Sequence, residues 1–404
     1  MTADSPPGAS LPRPLDVPLL DVPLLDGPVR LAGLAEVEPT PDGLVLHRLP
    51  AAARAQLPDD FVTMCEEQPA GVRLLMRTSA TVLELDVRAT RTRFTGRPVA
   101  DAGRYEAVVA GAVVASGTAE AHGVLELDPV TGLGARRPGP VATVRLGPLP
   151  PGEKDVEVWL PYGEITVLVA LRADAPVVAA AGETRPRWVH HGSSISHGAS
   201  ATAPTGTWPV VAARAAGLDL VNLGLSGNAL LDPFTARAIR DQPADVITLK
   251  LGINVANHDG FRRRTFAPAV DGFLDTVREG HPDTPVVVIS PILCPMVEDR
   301  PGPTSIDPDS PPGAPIFRTA GKPEEVAEGK LSLAVMREIL AAVVARRRAA
   351  GDQALTYLDG RELFGEADWN RMPMSDLLHP DDDGHRHMGE RFAALLPGLA
   401  ALGS

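Results

Sequence analysis

Arg187-Trp188-Val189-His190-His191-Gly192-Ser193-Ser194-Ile195-Ser196-His197-Gly198 runs from an apolar stretch into a glycine and a pair of serines. Arg187 to His190 reads as a buried strand, and Trp208 to Ala216 downstream has the apolar spacing of a helix. The same alternation continues to the C-terminus. Strands are expected at Leu218 to Asn222, Val246 to Leu251, Pro285 to Ser290 and Ala354 to Leu358. Helices are expected at Pro233 to Arg240, Phe266 to Glu279, Glu324 to Ala349 and Gly384 to Leu396. Strands separated by helices imply a parallel sheet covered on both faces, with reactive groups gathered at the carboxyl ends of the strands.

Upstream the period changes to two. Arg73 to Arg77, Val82 to Val87, Tyr105 to Val109, Val124 to Leu127, Val141 to Leu146, Val156 to Leu160 and Ile165 to Leu171 read as strands punctuated by Gly and Pro. Almost no helical periodicity separates them, so residues 29–182 are expected to form an all-β sandwich or jelly roll. Residues 183–404 then form the α/β domain. Residues 1–28 are Pro-rich and hold a tandem repeat, Asp16-Val17-Pro18-Leu19-Leu20 and Asp21-Val22-Pro23-Leu24-Leu25. Prolines at this density oppose helix and ladder alike, so this segment is expected to be a disordered or extended arm. The repeat reads first as slippage in a tolerated tail, with docking as an extended strand on a partner as the alternative.

Composition excludes several roles. A formal net charge of -13 argues against nucleic acid or an anionic membrane as the main partner. Arg346-Arg347-Arg348 reads as a solvated helix end complementing the dipole. Only Cys65 and Cys294 are present, too few and too far apart for a disulfide framework. The N-terminus lacks the basic start and apolar run of a signal peptide, and no apolar stretch reaches the length of a membrane span, so a cytoplasmic location is expected.

The chemistry lies at the strand ends. Ser194 has a hydroxyl that needs an imidazole to take its proton, and Ser375-Asp376-Leu377-Leu378-His379-Pro380 supplies an imidazole with a carboxylate three residues before it. Asn222-Leu223-Gly224-Leu225-Ser226-Gly227-Asn228 and Leu251-Gly252-Ile253-Asn254 each follow an apolar run, where backbone N–H groups and an Asn amide are placed to stabilise an oxyanion. His190, His191, His197, His385 and His387 lack a completing acidic or Cys pattern, so they read as packing or pocket-lining groups rather than metal ligands. Lys250, Asn257 and His258 read equally as substrate contacts or solvated loop positions, and Trp208 as helix core. Pro295 to Lys322, rich in Pro, Gly and Asp, reads as a loop framing the pocket, with a mobile surface insertion as the alternative.

Taken in order, these four blocks resemble the SGNH hydrolase superfamily, also called the GDSL family, over about 186 to 400. The resemblance implies a three-layer, flavodoxin-like α/β/α domain. It also implies a catalytic Ser194, Asp376 and His379 and an oxyanion hole of the Ser194 N–H, the Gly227 N–H and the Asn254 side-chain amide. One position departs from the pattern: Ser193 stands where the family has Asp, so two serines adjoin, and Ile195 in the aliphatic place after the nucleophile favours Ser194. The stretches His191 to Gly198, Gly252 to Val255 and Ser290 to Pro295, with the all-β first half, are similar to a bacterial subgroup. That subgroup includes a salicylyl-CoA-dependent, tetracycline-tailoring acyltransferase. The resemblance implies a serine esterase or O-acyltransferase working through an acyl-enzyme without a cofactor, with acyl-CoA as a potential co-substrate and a sugar-bearing alcohol as a potential acceptor. A non-catalytic glycan-binding protein with a relic hydrolase domain is the alternative reading. A nucleotide-binding oxidoreductase is disfavoured because no GxGxxG follows the first strand.

Overall fold

The computed structural model describes residues 18–181, 185–311 and 314–400. In the second half, five strands form one parallel sheet: β1 Arg187–Gly192, β2 Asp219–Gly224, β3 Val246–Lys250, β4 Val286–Ile289 and β5 Leu355–Leu358, in spatial order β2-β1-β3-β4-β5. β1 to β4 are almost wholly buried and β5 partly so, which is why they read as largely apolar runs. On one face Val189, Leu223, Ile247, Val286 and Val288 pack against apolar residues of Pro233–Arg240, Arg263–Gly280 and Leu333–Ala349. On the other, Trp188, Leu220, Val246, Val287 and Ile289 pack against Trp208–Ala216 and Asp382–Leu399. Trp188 stacks on Phe392 at 5.0 Å, and Trp208 meets Phe392 edge-on at 5.6 Å. Burying a side chain of this kind contributes roughly 1.5–3 kcal/mol, so the sheet is a rigid base for the loops above it.

The first half is a two-sheet sandwich. One sheet runs Gly134–Arg137, His122–Leu127, Leu83–Phe94, Glu164–Ala173, Gly43–His47, Glu36–Thr40; the other runs Val177–Val178, Arg73–Thr78, Lys154–Trp159, Arg104–Val109, Ala112–Thr118. Pairing is antiparallel except between Leu83–Phe94 and His122–Leu127, which is parallel. The inward residues, among them Leu74, Met76, Leu85, Val87, Val144 and Val158, form a core separate from those of the parallel sheet.

Three local readings change. The Pro-rich arm is not disordered over its described part: Leu20–Val22 pairs antiparallel with Glu164–Ala173, and Val22, Leu24 and Val29 are buried. Apolar residues spaced around Pro23 reach the sandwich core, and that burial outweighs the local cost of proline. The second copy of the repeat thus docks on its own chain, while residues 1–17 lie outside the described residues. A helix, α1 Asp60–Glu67, interrupts the strands of the first half, capped by Asp59, whose carboxylate accepts the Val62 N–H. The arginine trio does more than face solvent: Arg346 pairs with Asp271, Arg347 with Asp275 at 2.7 Å, and Arg348 binds the Leu355 carbonyl.

The halves are joined through buried polar contacts. Arg48, wholly buried, donates to the Asn222 and Gly224 carbonyls at 2.7 and 2.9 Å, and also to those of Gln68 and Cys65. Burial pushes its guanidinium down to about 10. Arg73 pairs with Asp219 beneath the Trp159 ring, and Tyr162 donates to the Ala201 carbonyl at 2.5 Å. Among the described residues no helix is long and apolar enough to cross a membrane.

Candidate active site

β1 ends at Gly192, and the chain turns at once into a single helical turn, Ser194–His197. The turn is packed close against β2: a Cβ added to Gly224 would lie 2.4 Å from the His197 nitrogen, so only glycine fits there. Because β1 lies between β2 and β3, the segments following those two strands flank the serine. After β2 comes the short turn Ser226–Asn228, which carries Gly227. After β3 the chain passes Gly252, at φ +123°, into the helix α2 Ile253–His258, whose second residue is Asn254. The backbone there requires glycine, and a Cβ would also strike the Pro291 ring at 2.8 Å.

The structure brings Ser194, His379 and Asp376 together. His379 Nε2 lies 2.8 Å from Ser194 Oγ, and His379 Nδ1 lies 2.6 Å from Asp376 Oδ2. The carboxylate can only accept, so Nδ1 holds the proton and Nε2 is free to accept that of the serine. Asp376 Oδ1 also accepts the backbone N–H groups of Leu378 and His379 at 2.8 and 2.7 Å. Burial raises the cost of its charge, but the hydrogen bond and charge of His379 and these backbone bonds outweigh that and hold the carboxyl below its ordinary range. Ser193, by contrast, is fully buried with no hydrogen-bond partner for its hydroxyl.

Asn254 is buried, and its Oδ1 accepts the Ala229 N–H at 3.1 Å. That bond fixes which way the amide points and leaves Nδ2 for another acceptor. The neighbouring histidines are neutral packing groups. His190 bridges Thr248 at 2.6 Å and Ser196 at 2.8 Å, and burial holds it well below its ordinary range. Burial also pushes His191 and His385 down to about 4, and His197 to about 3. Among the described residues no group of three or more His, Cys, Asp or Glu could hold a metal ion. Cys65 and Cys294 are free and buried.

Several neighbours of the site went unseen in the sequence. The stretch read as a framing loop contains a hairpin, Thr304–Ile306 with Phe317–Thr319; Pro312 and Gly313 lie outside the described residues. Its Phe317 ring meets His379 edge-on at 5.5 Å, and the Phe317 N–H donates to the Asp376 carbonyl at 2.9 Å. From the sandwich, the Phe61 ring lies 3.4 Å from where a Cβ of Gly227 would be. Nothing local marks either phenylalanine, since each is recruited by a contact distant in sequence.

Lys250, at the end of β3, is buried without a hydrogen-bond partner for its ammonium. Burial, reinforced by the Arg337 charge, lowers it to about 8. The folded chain therefore releases this proton more readily than the unfolded one. Stability falls as pH drops from the unfolded value near 10.5 towards 8, and the full penalty stands at pH 7. That shift corresponds to a penalty on the order of 3 kcal/mol. Lys250→Met is expected to raise the melting temperature at pH 7 and to raise it less at pH 10. Equal or lower melting temperatures for the variant at pH 7 would contradict this.

Comparison with known proteins adds to the geometry. Residues 191–387 match the model of the GDSL-like Lipase/Acylhydrolase family. A search of curated proteins found no match. Among solved structures, the chain resembles the salicylyl-acyltransferase SsfX3 from a tetracycline biosynthetic pathway, with TM-score 0.75 and 28% identity over 93% of this chain and 97% of that one. A GDSL-like lipase candidate from Bacteroides ovatus superposes with TM-score 0.66 at 18% identity, covering 94% and 98%. A family two carbohydrate esterase from Clostridium thermocellum, in complex with cellohexaose, superposes with TM-score 0.55 at 13% identity, covering 81% and 92%. At such identities the last two speak to the fold alone. Residues 191–387, which contain Ser194 and His379 in hydrogen-bond contact, are thus a domain of the GDSL-like lipase/acylhydrolase family, and the chain is an enzyme of the esterase or acyltransferase kind.

Proposed function

We propose that the protein is a serine-dependent ester hydrolase or acyltransferase that works through an acyl-enzyme on Ser194. The observation that carries this reading is the unbroken hydrogen-bond chain from Ser194 through His379 to Asp376. Ser194 Oγ attacks the acyl carbonyl carbon while its proton passes to His379 Nε2. The oxyanion is held by the N–H groups of Ser194 and Gly227 and by the Asn254 amide. Collapse expels the alcohol or thiol, which takes the proton from His379 and leaves the acyl group as an ester of Ser194. Water, or a bound hydroxyl, then gives its proton to His379 and attacks that ester. The same donors hold the second oxyanion, and its collapse breaks the bond to Ser194 Oγ, which takes the proton back from His379.

The relay requires no metal and no resident cofactor; an acyl-CoA thioester serves as a donor in the same chemistry. Likeness to an acyltransferase along both halves of the chain favours transfer to a small alcohol, including a sugar hydroxyl, over hydrolysis alone. A connected relay is what a relic binding domain would have no reason to keep. Cytoplasmic location belongs to the same reading, since acyl-CoA is a cytoplasmic donor.

The test is intact-mass spectrometry. Incubation with p-nitrophenyl esters and acyl thioesters is expected to add one acyl mass, located on Ser194 by peptide mapping. Chasing with sugar-bearing alcohols is expected to discharge it faster than water alone. An acyl group found on Ser193, or no covalent adduct during turnover, would overturn the reading; equal discharge in water would leave a hydrolase.

A further inference from the structure

We propose that His258 is a positioning residue of the oxyanion hole, an inference that rests on the acyl-transfer reading above. The turn that presents Gly227 is not one the backbone favours by itself, because Ser226 takes φ +53°, a region sparsely used by residues with a Cβ. Such a conformation persists only where its surroundings fix it.

Four contacts do so, and three come from the β-sandwich. Leu225 is buried among Met64, Cys65, Leu125, Leu127 and Ile165. Asn228 Nδ2 donates to Cys65 Sγ at 3.5 Å. The Phe61 ring, braced edge-on by Phe94 at 5.9 Å, covers Gly227. The fourth contact is His258 Nε2, 3.1 Å from the Gly227 carbonyl. A carbonyl oxygen only accepts, so Nε2 carries a hydrogen and donates it whether the ring is neutral or charged.

His258 closes α2, the helix that opens with Ile253 and Asn254. Its bond to Gly227 therefore ties the two segments that flank the serine. The Ala229 N–H bond to Asn254 makes a second tie between the same segments. With both in place, a shift of the Gly227 turn relative to Asn254 breaks a hydrogen bond, so the two donors keep a common aim. The ring itself is exposed, so it fills no core, and its removal leaves packing intact while freeing the turn.

The test compares His258→Ala with His258→Gln, whose side-chain amide carries its N–H at nearly the position of Nε2. For a p-nitrophenyl ester, His258→Ala is expected to lose roughly tenfold in kcat with KM within about twofold, because a displaced donor weakens the transition state more than the ground state. His258→Gln is expected to recover at least about half of the wild-type kcat. Butylboronic acid, which forms a tetrahedral adduct on a serine hydroxyl, is expected to bind His258→Ala more weakly by the factor lost in kcat/KM. Unchanged kcat, a loss carried by KM alone, or a loss that Gln does not restore overturns the proposal while Ser194-dependent turnover stands. A wild type without esterase or transferase activity, or an active Ser194→Ala, removes the acyl-transfer reading and this inference with it.

Discussion

Ser194→Ala is expected to lower kcat on the order of a millionfold while leaving the fold intact, because it deletes the hydroxyl in hydrogen-bond contact with His379 Nε2. The neighbouring serine makes this a sharp test. Ser193→Ala removes a buried hydroxyl that has no hydrogen-bond partner, so it costs no bond in the folded chain and is expected to be neutral or slightly stabilising. Its esterase activity should stay within a few-fold of wild type. Measuring both variants by p-nitrophenol release, with melting curves alongside, separates the two positions. Activity retained in Ser194→Ala and lost in Ser193→Ala would require the chain to rearrange at Gly192 before attack.

Asp376→Asn is expected to cost roughly ten-thousandfold in kcat with little change in stability. The two carboxylate oxygens have different partners, and that asymmetry decides the outcome. Oδ1 takes the backbone N–H groups of Leu378 and His379, so the amide oxygen of an Asn is held on that side. The amide NH2 then faces His379 Nδ1, which must give up its hydrogen to accept. The imidazole proton moves to Nε2, where it points at Ser194 Oγ and cannot be replaced by the serine's own. The local loop keeps its hydrogen bonds while the relay runs in the wrong tautomer. Retention of more than about a tenth of wild-type kcat would show that the carboxylate does not set the tautomer.

The parallel sheet was legible because its signal is local. Each of the five strands is a short apolar run, and helices such as Trp208–Ala216 and Pro233–Arg240 carry their own periodicity and a proline in the first turn. The helix Asp60–Glu67 was not legible. Eight residues give barely two turns, and its apolar side chains are divided between partners, with Phe61 towards Gly227 and Cys65 towards Leu225 and Asn228. The strand Leu20–Val22 was hidden by the flanking Pro18 and Pro23 and by a partner, Glu164–Ala173, that lies across the whole sandwich in sequence. The helix expected from Glu324 begins only at Leu333, where Ser332 caps it; a short 3-10 turn, Pro323–Val326, precedes it.

Residue type and order alone determined that a hydroxyl follows one buried strand and that a carboxylate stands three residues before an imidazole, because those spacings are written locally. The strand-end position expected for Asp376 and His379 does not hold, since they lie between the helices Glu366–Arg371 and Asp382–Leu399. The position of Ile195 favoured Ser194 of the two adjacent serines, and tertiary structure decided the contact itself, since one turn of backbone after Gly192 sets Ser194 against His379 and buries Ser193. Tertiary structure also decided what holds Gly227 in place. Phe61 and Cys65 reach that turn from the first half of the chain, through close packing between the sandwich and the parallel sheet, and His258 reaches it from the helix after the neighbouring strand.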